Sequence, residues 1–138
     1  MKCMAYTDGA SRGNPGDSGI GIVVRNDAGE VVLTAYGFIG TATNNIAEYS
    51  ALLALLKRIK ATPCSQLVVH SDSELMVRQM NGEYKVRDEN LKEYHRKVTA
   101  LRDDLSFPFE LRYVPREQNK EADTLANRGI DSRKRIRI

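Results

Sequence analysis

Four carboxylates at the boundaries of predicted elements constrain this chain more than any other feature. They are Asp8 in Tyr-Thr-Asp-Gly-Ala-Ser, Glu48 in Thr-Asn-Asn-Ile-Ala-Glu-Tyr, Asp72 in Val-Val-His-Ser-Asp-Ser-Glu, and Asp123 in Lys-Glu-Ala-Asp-Thr-Leu-Ala. With 18 acidic residues among 138, any one of them alone is uninformative. A fold that gathers all four must overcome a mutual repulsion of roughly 4 kcal/mol per pair at about 4 Å in a protein-surface dielectric. A bound hard cation is the usual compensation.

The chain has 41% hydrophobic and 28% charged residues. That composition suits one globular domain burying roughly two-thirds of its unfolded surface. There is no run of 18 apolar residues, and the first residues, Met-Lys-Cys-Met-Ala-Tyr-Thr-Asp, lack the apolar stretch of a signal peptide. The expectation is a soluble, cytoplasmic monomer with no membrane partner. Cys3 and Cys64 are too few for a disulfide framework and lack metal-ligand spacing, so both are read as packing residues. The net charge of +3 is unevenly spread, with Arg128, Arg133, Lys134, Arg135 and Arg137 crowding the end against Asp131. Such a tail either touches a phosphate backbone or is simply solvated. The alternation Arg135-Ile136-Arg137-Ile138 also permits a short edge strand.

Residues 3–8 read as a short buried strand and Gly9–Gly16 as a loop rich in turn formers. Strands over 19–25 and 31–39 flank Asn26-Asp27-Ala28-Gly29-Glu30, a hairpin signal. From Asn44 to about Ala61, the residues Ile46, Tyr49, Leu52, Leu53, Leu56 and Ile59 recur at helical spacing, with Thr43 or Asn44 as N-cap. A strand over 66–71 leads into a helix over 73–80. A polar amphipathic helix covers 88–104, a fifth strand 109–114, and a last helix 118–128, with Gly129 as its stop. The order βββαβααβα predicts an α/β protein with a five-stranded mixed sheet and helices on both faces. Residues 1–129 are read as the catalytic domain and 130–138 as a basic tail.

Asp8 ends the first strand and Asp72 the fourth. If these strands are parallel neighbours, their carboxyl ends aim both side chains into one crevice. Glu48 and Asp123 then come down from the helices above, giving an all-oxygen site suited to Mg²⁺ or Mn²⁺ and unsuited to zinc.

Four stretches carry a resemblance: Asp8-Gly-Ala-Ser-Arg-Gly-Asn-Pro-Gly, Thr43-Asn-Asn-Ile-Ala-Glu, Asp72-Ser, and Val114-Pro-Arg-Glu-Gln-Asn-Lys-Glu-Ala-Asp. In this order, over nearly the whole chain, the sequence resembles a type 1 ribonuclease H in a compact form without the basic protrusion. The resemblance implies the ribonuclease H-like fold. It implies an endonuclease that cleaves the RNA strand of RNA/DNA hybrids, leaving 3′-hydroxyl and 5′-phosphate ends. Asp8, Glu48, Asp72 and Asp123 would hold two Mg²⁺ or Mn²⁺ ions. Gly9, Ser11, Asn14, Asn44 and Asn45 would contact the RNA strand, where the 2′-hydroxyl distinguishes RNA from DNA. Thr43 would help hold a phosphate of the DNA strand. Lys85, Arg87 and Lys120 would grip the hybrid backbone, and Glu74 would stand near the minor groove. Taken singly, the Asn and Ser residues of these motifs serve equally well as caps and turn formers.

Many relatives carry a histidine in the loop before the last acid, whereas Pro115–Lys120 has none. Glu117, Asn119 and Glu121 are candidate substitutes. His70 shares a strand face with Asp72, but a satisfied structural histidine is the expected reading, and His95 is expected to be solvated. Two other readings remain. The first is another nuclease of the superfamily, disfavoured because Gly9 and Ala10, not a second acid, follow Asp8. The second is a catalytically weak hybrid-binding module, disfavoured because all four acids are present. Nucleotide binding by the glycines at 13, 16, 19 and 21 is discarded, because no Gly-Lys-Ser/Thr follows them.

Overall fold

The computed structural model describes residues 1–138. Five strands, β1 (Lys2–Gly13), β2 (Gly16–Arg25), β3 (Val31–Ala42), β4 (Gln66–Ser71) and β5 (Phe109–Tyr113), form one sheet in the order β3-β2-β1-β4-β5. The first three are antiparallel neighbours, while β1–β4 and β4–β5 are parallel. Helices α1 (Asn44–Arg58), α2 (Glu74–Met80), α3 (Glu89–Asp103) and α4 (Lys120–Ser132) complete the expected βββαβααβα order. No helix is long and apolar enough to cross a membrane.

The main core forms where α1 lies on the sheet. Leu52, Leu55, Leu56 and Ile59 meet Ala5, Ile20, Ile22 and Val69, all fully buried. Helix α4 covers the opposite face of the three antiparallel strands, so the mixed sheet carries helices on both sides. The caps follow the sequence: Thr43, Ser73 and Asp88 each accept a backbone N–H from the first turn of α1, α2 and α3.

Three expectations are corrected. Gly9–Gly16 is not a loop. The pairing of β1 with β2 continues through Ser11↔Ser18 to Gly13↔Gly16, leaving a turn at Asn14-Pro15, because the small residues of this stretch extend a two-stranded ribbon above the sheet. Gly129 does not stop the last helix. A Cβ there would stand 2.4 Å from the Gly37 carbonyl oxygen, so glycine lets α4 press onto β3, and the helix runs on to Ser132. Arg133, left-handed at φ 56°, ends it.

The third correction concerns the cysteines, which are bonded to each other and are not independent packing residues. Ser65 N–H donates to the Met1 carbonyl at 2.7 Å, bringing the start of β1 beside the segment between α1 and β4. The two Cα atoms are 5.7 Å apart, within bridging range.

Candidate active site

Asp8 and Asp72 reach one point because β1 and β4 are adjacent and parallel, with Tyr6 opposite His70 in register. Asp8 lies two residues beyond that pair on β1, and Asp72 two beyond it past β4. Glu48 arrives from the second turn of α1 because that helix sits unusually close to β1. A Cβ on Gly9 would be 2.2 Å from the Ala47 carbonyl carbon, so only glycine permits the approach. At that contact Gly9 N–H donates to Glu48 Oε1 at 2.8 Å. The Gly9 amide therefore orients an acid, and it is not free to contact a ribose.

One carboxylate oxygen from each of Asp8, Glu48 and Asp72 lies within 4.8 Å of the other two. Asp123, in the first turn of α4, stands outside that group of three but close enough to Asp8 to push its carboxyl pKa up. The four acids line one cavity of about 430 Å³ with Gly9, Ala10, Ser11, Asn44, Arg116 and Asn127. Asp8 and Glu48 are 4% and 9% exposed, which is unusual for unpaired carboxylates.

Burial pushes the Asp8 carboxyl up to about 10, reinforced by Glu48, Asp72 and Asp123. Burial likewise holds Glu48 well above the carboxylate range, with Asp72 adding to the effect and the Gly9 amide opposing it. These four acids are short of positive charge, and an all-oxygen donor set at this spacing fits hard divalent cations.

A stability consequence follows directly. The folded protein binds more protons than the unfolded chain between the ordinary Asp pKa of 3.8 and the native value near 10, so stability without metal declines as pH rises through that window. In chelator, the melting temperature should fall between about pH 5 and pH 9, and Mg²⁺ should restore more of it at the alkaline end, since ligand carboxylates bind metal when ionised. Asp8→Asn should flatten the slope. A chelator melting curve independent of pH would contradict the clustered site.

Ser11 Oγ and Ser18 Oγ share a 2.6 Å hydrogen bond, and Asn44 N–H donates to Asn14 Oδ1 at 3.1 Å, tying the first motif to the second. Asn14, Thr43, Asn45, Glu74, Lys85, Arg87 and Lys120 lie outside the cavity wall. Thr43 caps α1 through a 3.2 Å hydrogen bond from Ile46 N–H. Glu74 is paired with Arg78. Lys85 and Arg87 are exposed on the segment between α2 and α3, and Lys120 is exposed at the start of α4.

Of the proposed substitutes for the loop histidine, none lines the cavity. Glu121 pairs with Arg25, Glu117 is exposed, and Asn119 is buried with its Nδ2 donating to the Thr7 carbonyl at 2.9 Å. Arg116 occupies the rim instead, without an acidic partner. The motif containing it was visible in the sequence, but its place on the cavity wall was not; it opens the 3₁₀ turn Arg116–Gln118 that leads into α4. Asn127, four residues after Asp123, is the second unforeseen wall residue, and its Nδ2 donates to the Asp123 carbonyl at 3.1 Å. His70 is structural: its Nδ1 lies 3.0 Å from the Ala5 carbonyl and its ring stacks on Tyr6 at 4.4 Å. His95 is half-buried, edge-on to Tyr49 at 6.4 Å, so it is not the solvated histidine expected.

Comparison with known proteins agrees with this geometry. A family model described as reverse transcriptase-like matches residues 6–129. The ribonuclease H of Alcanivorax borkumensis is 33% identical over 142 residues, covering 94% of this chain and 91% of that protein. The chain belongs to the type 1 ribonuclease H family. Ribonuclease HI of Halobacterium salinarum is 38% identical over 129 residues, covering 92% of this chain, which spans only 63% of that relative's length. A crystal structure of LC11-RNase H1 in complex with an RNA/DNA hybrid superposes with a TM-score of 0.90 at 38% identity, covering 95% of this ribonuclease H chain and 98% of that one.

Proposed function

We propose that this chain is a divalent-metal-dependent endoribonuclease that hydrolyses the RNA strand of RNA/DNA hybrids, leaving 3′-hydroxyl and 5′-phosphate ends. The observation that carries the proposal is the cluster of buried Asp8 and Glu48 with half-buried Asp72, one oxygen of each within 4.8 Å of the others, on the wall of one cavity. Asp8, Glu48, Asp72 and Asp123 would hold two Mg²⁺ or Mn²⁺ ions, which would supply an activated water and neutralise charge developing on the phosphate.

The protein's own groups do the rest. Gly9 N–H fixes the Glu48 carboxylate, and the Asn127 amide braces the Asp123 backbone, so the donors are preorganised. Ser11 and Asn44, on the cavity wall, offer hydroxyl and amide groups to a ribose 2′-hydroxyl. Asn14 holds the Asn44 backbone in place for that contact. Thr43 and Asn45, beside Asn44 at the start of α1, and the outlying Lys85, Arg87 and Lys120 extend the grip to the backbone on either side. Action on cytoplasmic nucleic acid as a monomer, with residues 1–129 as the catalytic unit and 130–138 as an appended tail, completes the reading.

Arg116 lines the cavity of the acids, is exposed and makes no ion pair, so its guanidinium is available to donate to phosphate oxygens that gain charge during the reaction. Arg116→Ala should lower kcat by about 10²-fold, the usual loss for one such donor, with a smaller effect on KM and partial recovery in Arg116→Lys. An unchanged kcat would remove Arg116 from the chemistry.

The test of function is cleavage of end-labelled RNA/DNA hybrid in Mg²⁺ and in Mn²⁺, beside single-stranded RNA, double-stranded RNA and DNA duplex. Selective cutting of the hybrid's RNA strand supports the proposal. Binding without cutting in either metal would favour a binding module instead.

A further inference from the structure

The basic tail is not a loose appendage. The Lys134 carbonyl accepts from Phe38 N–H at 2.8 Å, and Ile136 N–H donates to the Phe38 carbonyl at 3.2 Å, so Arg135 is bridged in parallel to the outer edge of β3. Beyond it, Arg58 Nη2 donates to the Arg137 carbonyl at 2.7 Å, and Ile136 and Ile138 pack against the core. Arg135 is thus held from both sides while its side chain remains exposed.

Its guanidinium has a defined place. It lies over the Phe38 ring, 5.4 Å from the centroid, with Nη2 and Nη1 3.0 and 3.1 Å from the position a Cβ on Gly40 would take. Arg133 lies on the same ring but is neutralised by Asp17 at 2.6 Å, and nearby Arg12 is paired with Asp131. Arg135 makes no ion pair and no side-chain hydrogen bond, so an oriented charge is left without a partner.

The sheet register gives its location relative to the active site. Gly40 is opposite Ser18, and Ser18 is opposite Ser11, which lines the cavity with Asp8. The Arg135 guanidinium beside Gly40 is therefore level with Ser11 on the cavity wall, whereas Asp8 itself is in register with Gly21 and Tyr36, two residues before the Phe38 that Arg135 pairs with. Arg135 is displaced sideways by three strand spacings of about 4.8 Å, so roughly 15 Å from β1. Gly40 is also three residues, about 10 Å of strand, before Thr43. With one strand over the acids and a phosphate of the other held at Thr43, as the resemblance implies, the backbone of that other strand would run over this side.

We propose that Arg135 is a backbone-phosphate contact for the strand that is not cut, an anchoring cation delivered by the tail. The inference rests on the hybrid-cleavage reading and extends it. It gives the tail a function in a chain with no tryptophan, in which only residues 81–88 separate α2 from α3.

The test is equilibrium binding of an RNA/DNA hybrid as a function of salt in Mg²⁺, in an Asp72→Asn background that prevents cutting. Neutralising one phosphate contributes about 0.9 to the slope of log affinity against log salt. Adding Arg135→Gln should reduce that slope by about one, and Arg135→Lys, which keeps the charge, should retain it. Melting curves of both variants set the temperature at which each is fully folded, so a change of slope is not a loss of fold. An unchanged slope in Arg135→Gln beside normal parental binding overturns the inference alone. Absence of salt-dependent hybrid binding by the protein with Arg135 intact overturns the hybrid reading and this inference with it.

Discussion

Asp72→Asn is expected to reduce cleavage of the RNA strand by about three orders of magnitude or more in both Mg²⁺ and Mn²⁺. The substitution preserves shape and removes one charge from a site whose chemistry is charge. With each 1.36 kcal/mol worth tenfold in rate, losing about 4 kcal/mol of transition-state stabilisation suffices for three decades. Asp72 would hold a divalent ion with Asp8 and Glu48, and loss of that ligand would remove at least that much, since the ion would supply an activated water and charge stabilisation at the phosphate. Loss of folding does not explain the result, because the same substitution relieves repulsion among oxygens within 4.8 Å. In chelator the variant should melt above the parent, with Mg²⁺ narrowing the gap by stabilising only the parent's intact site. Retention of more than about a tenth of the parental rate would mean that Asp72 does not hold the catalytic charge.

The opposite movements of stability and activity reflect how much of this site is written locally in the chain. Asp8 and Asp72 are legible because each follows a β-rich run, and parallel neighbours converge at their carboxyl ends. Glu48 is legible because Thr43 caps a helix whose apolar stripe fixes which face it turns to the sheet. The ribbon formed by Ala10–Gly13 and Gly16–Ser18 is illegible at that level. Its Gly, Ser, Asn and Pro content has the composition of a loop, and only the cross-strand register Ser11↔Ser18 makes it a strand.

Gly129 misleads for a similar reason. A glycine at a helix end usually marks the stop, yet here it removes a side chain that would strike Gly37 on β3, a partner more than ninety positions earlier. The cavity position of Arg116 and the edge pairing of Arg135 are likewise tertiary facts. One depends on a single 3₁₀ turn, the other on a free hydrogen-bonding edge at Phe38. Patterns spanning one element survive reading in one dimension. Contacts that decide between a cap and a close approach do not.

Reduction of the Cys3–Cys64 bond should cost about 4 kcal/mol of stability while leaving kcat at moderate temperature unchanged. The two residues are 61 apart, and closing a loop of that size removes about 14 cal/mol/K of unfolded-chain entropy. For a domain of this length, that loss corresponds to a fall in melting temperature on the order of 10 °C. Catalysis should be insulated because Cys3 lies five residues before Asp8 on β1, about 16 Å along an extended strand. Between them the strand is clamped on both sides, by β2 from Met4 onward and by β4 up to Tyr6. Melting with and without reductant, repeated on Cys64→Ser, separates the bond from any other effect of the reagent: the variant should melt at the reduced parent's temperature and ignore reductant. A parent whose melting is indifferent to reductant would show that the pairing contributes nothing to stability. A fall in kcat matching the fall in stability would show that the far end of β1 communicates with Asp8 through the strand.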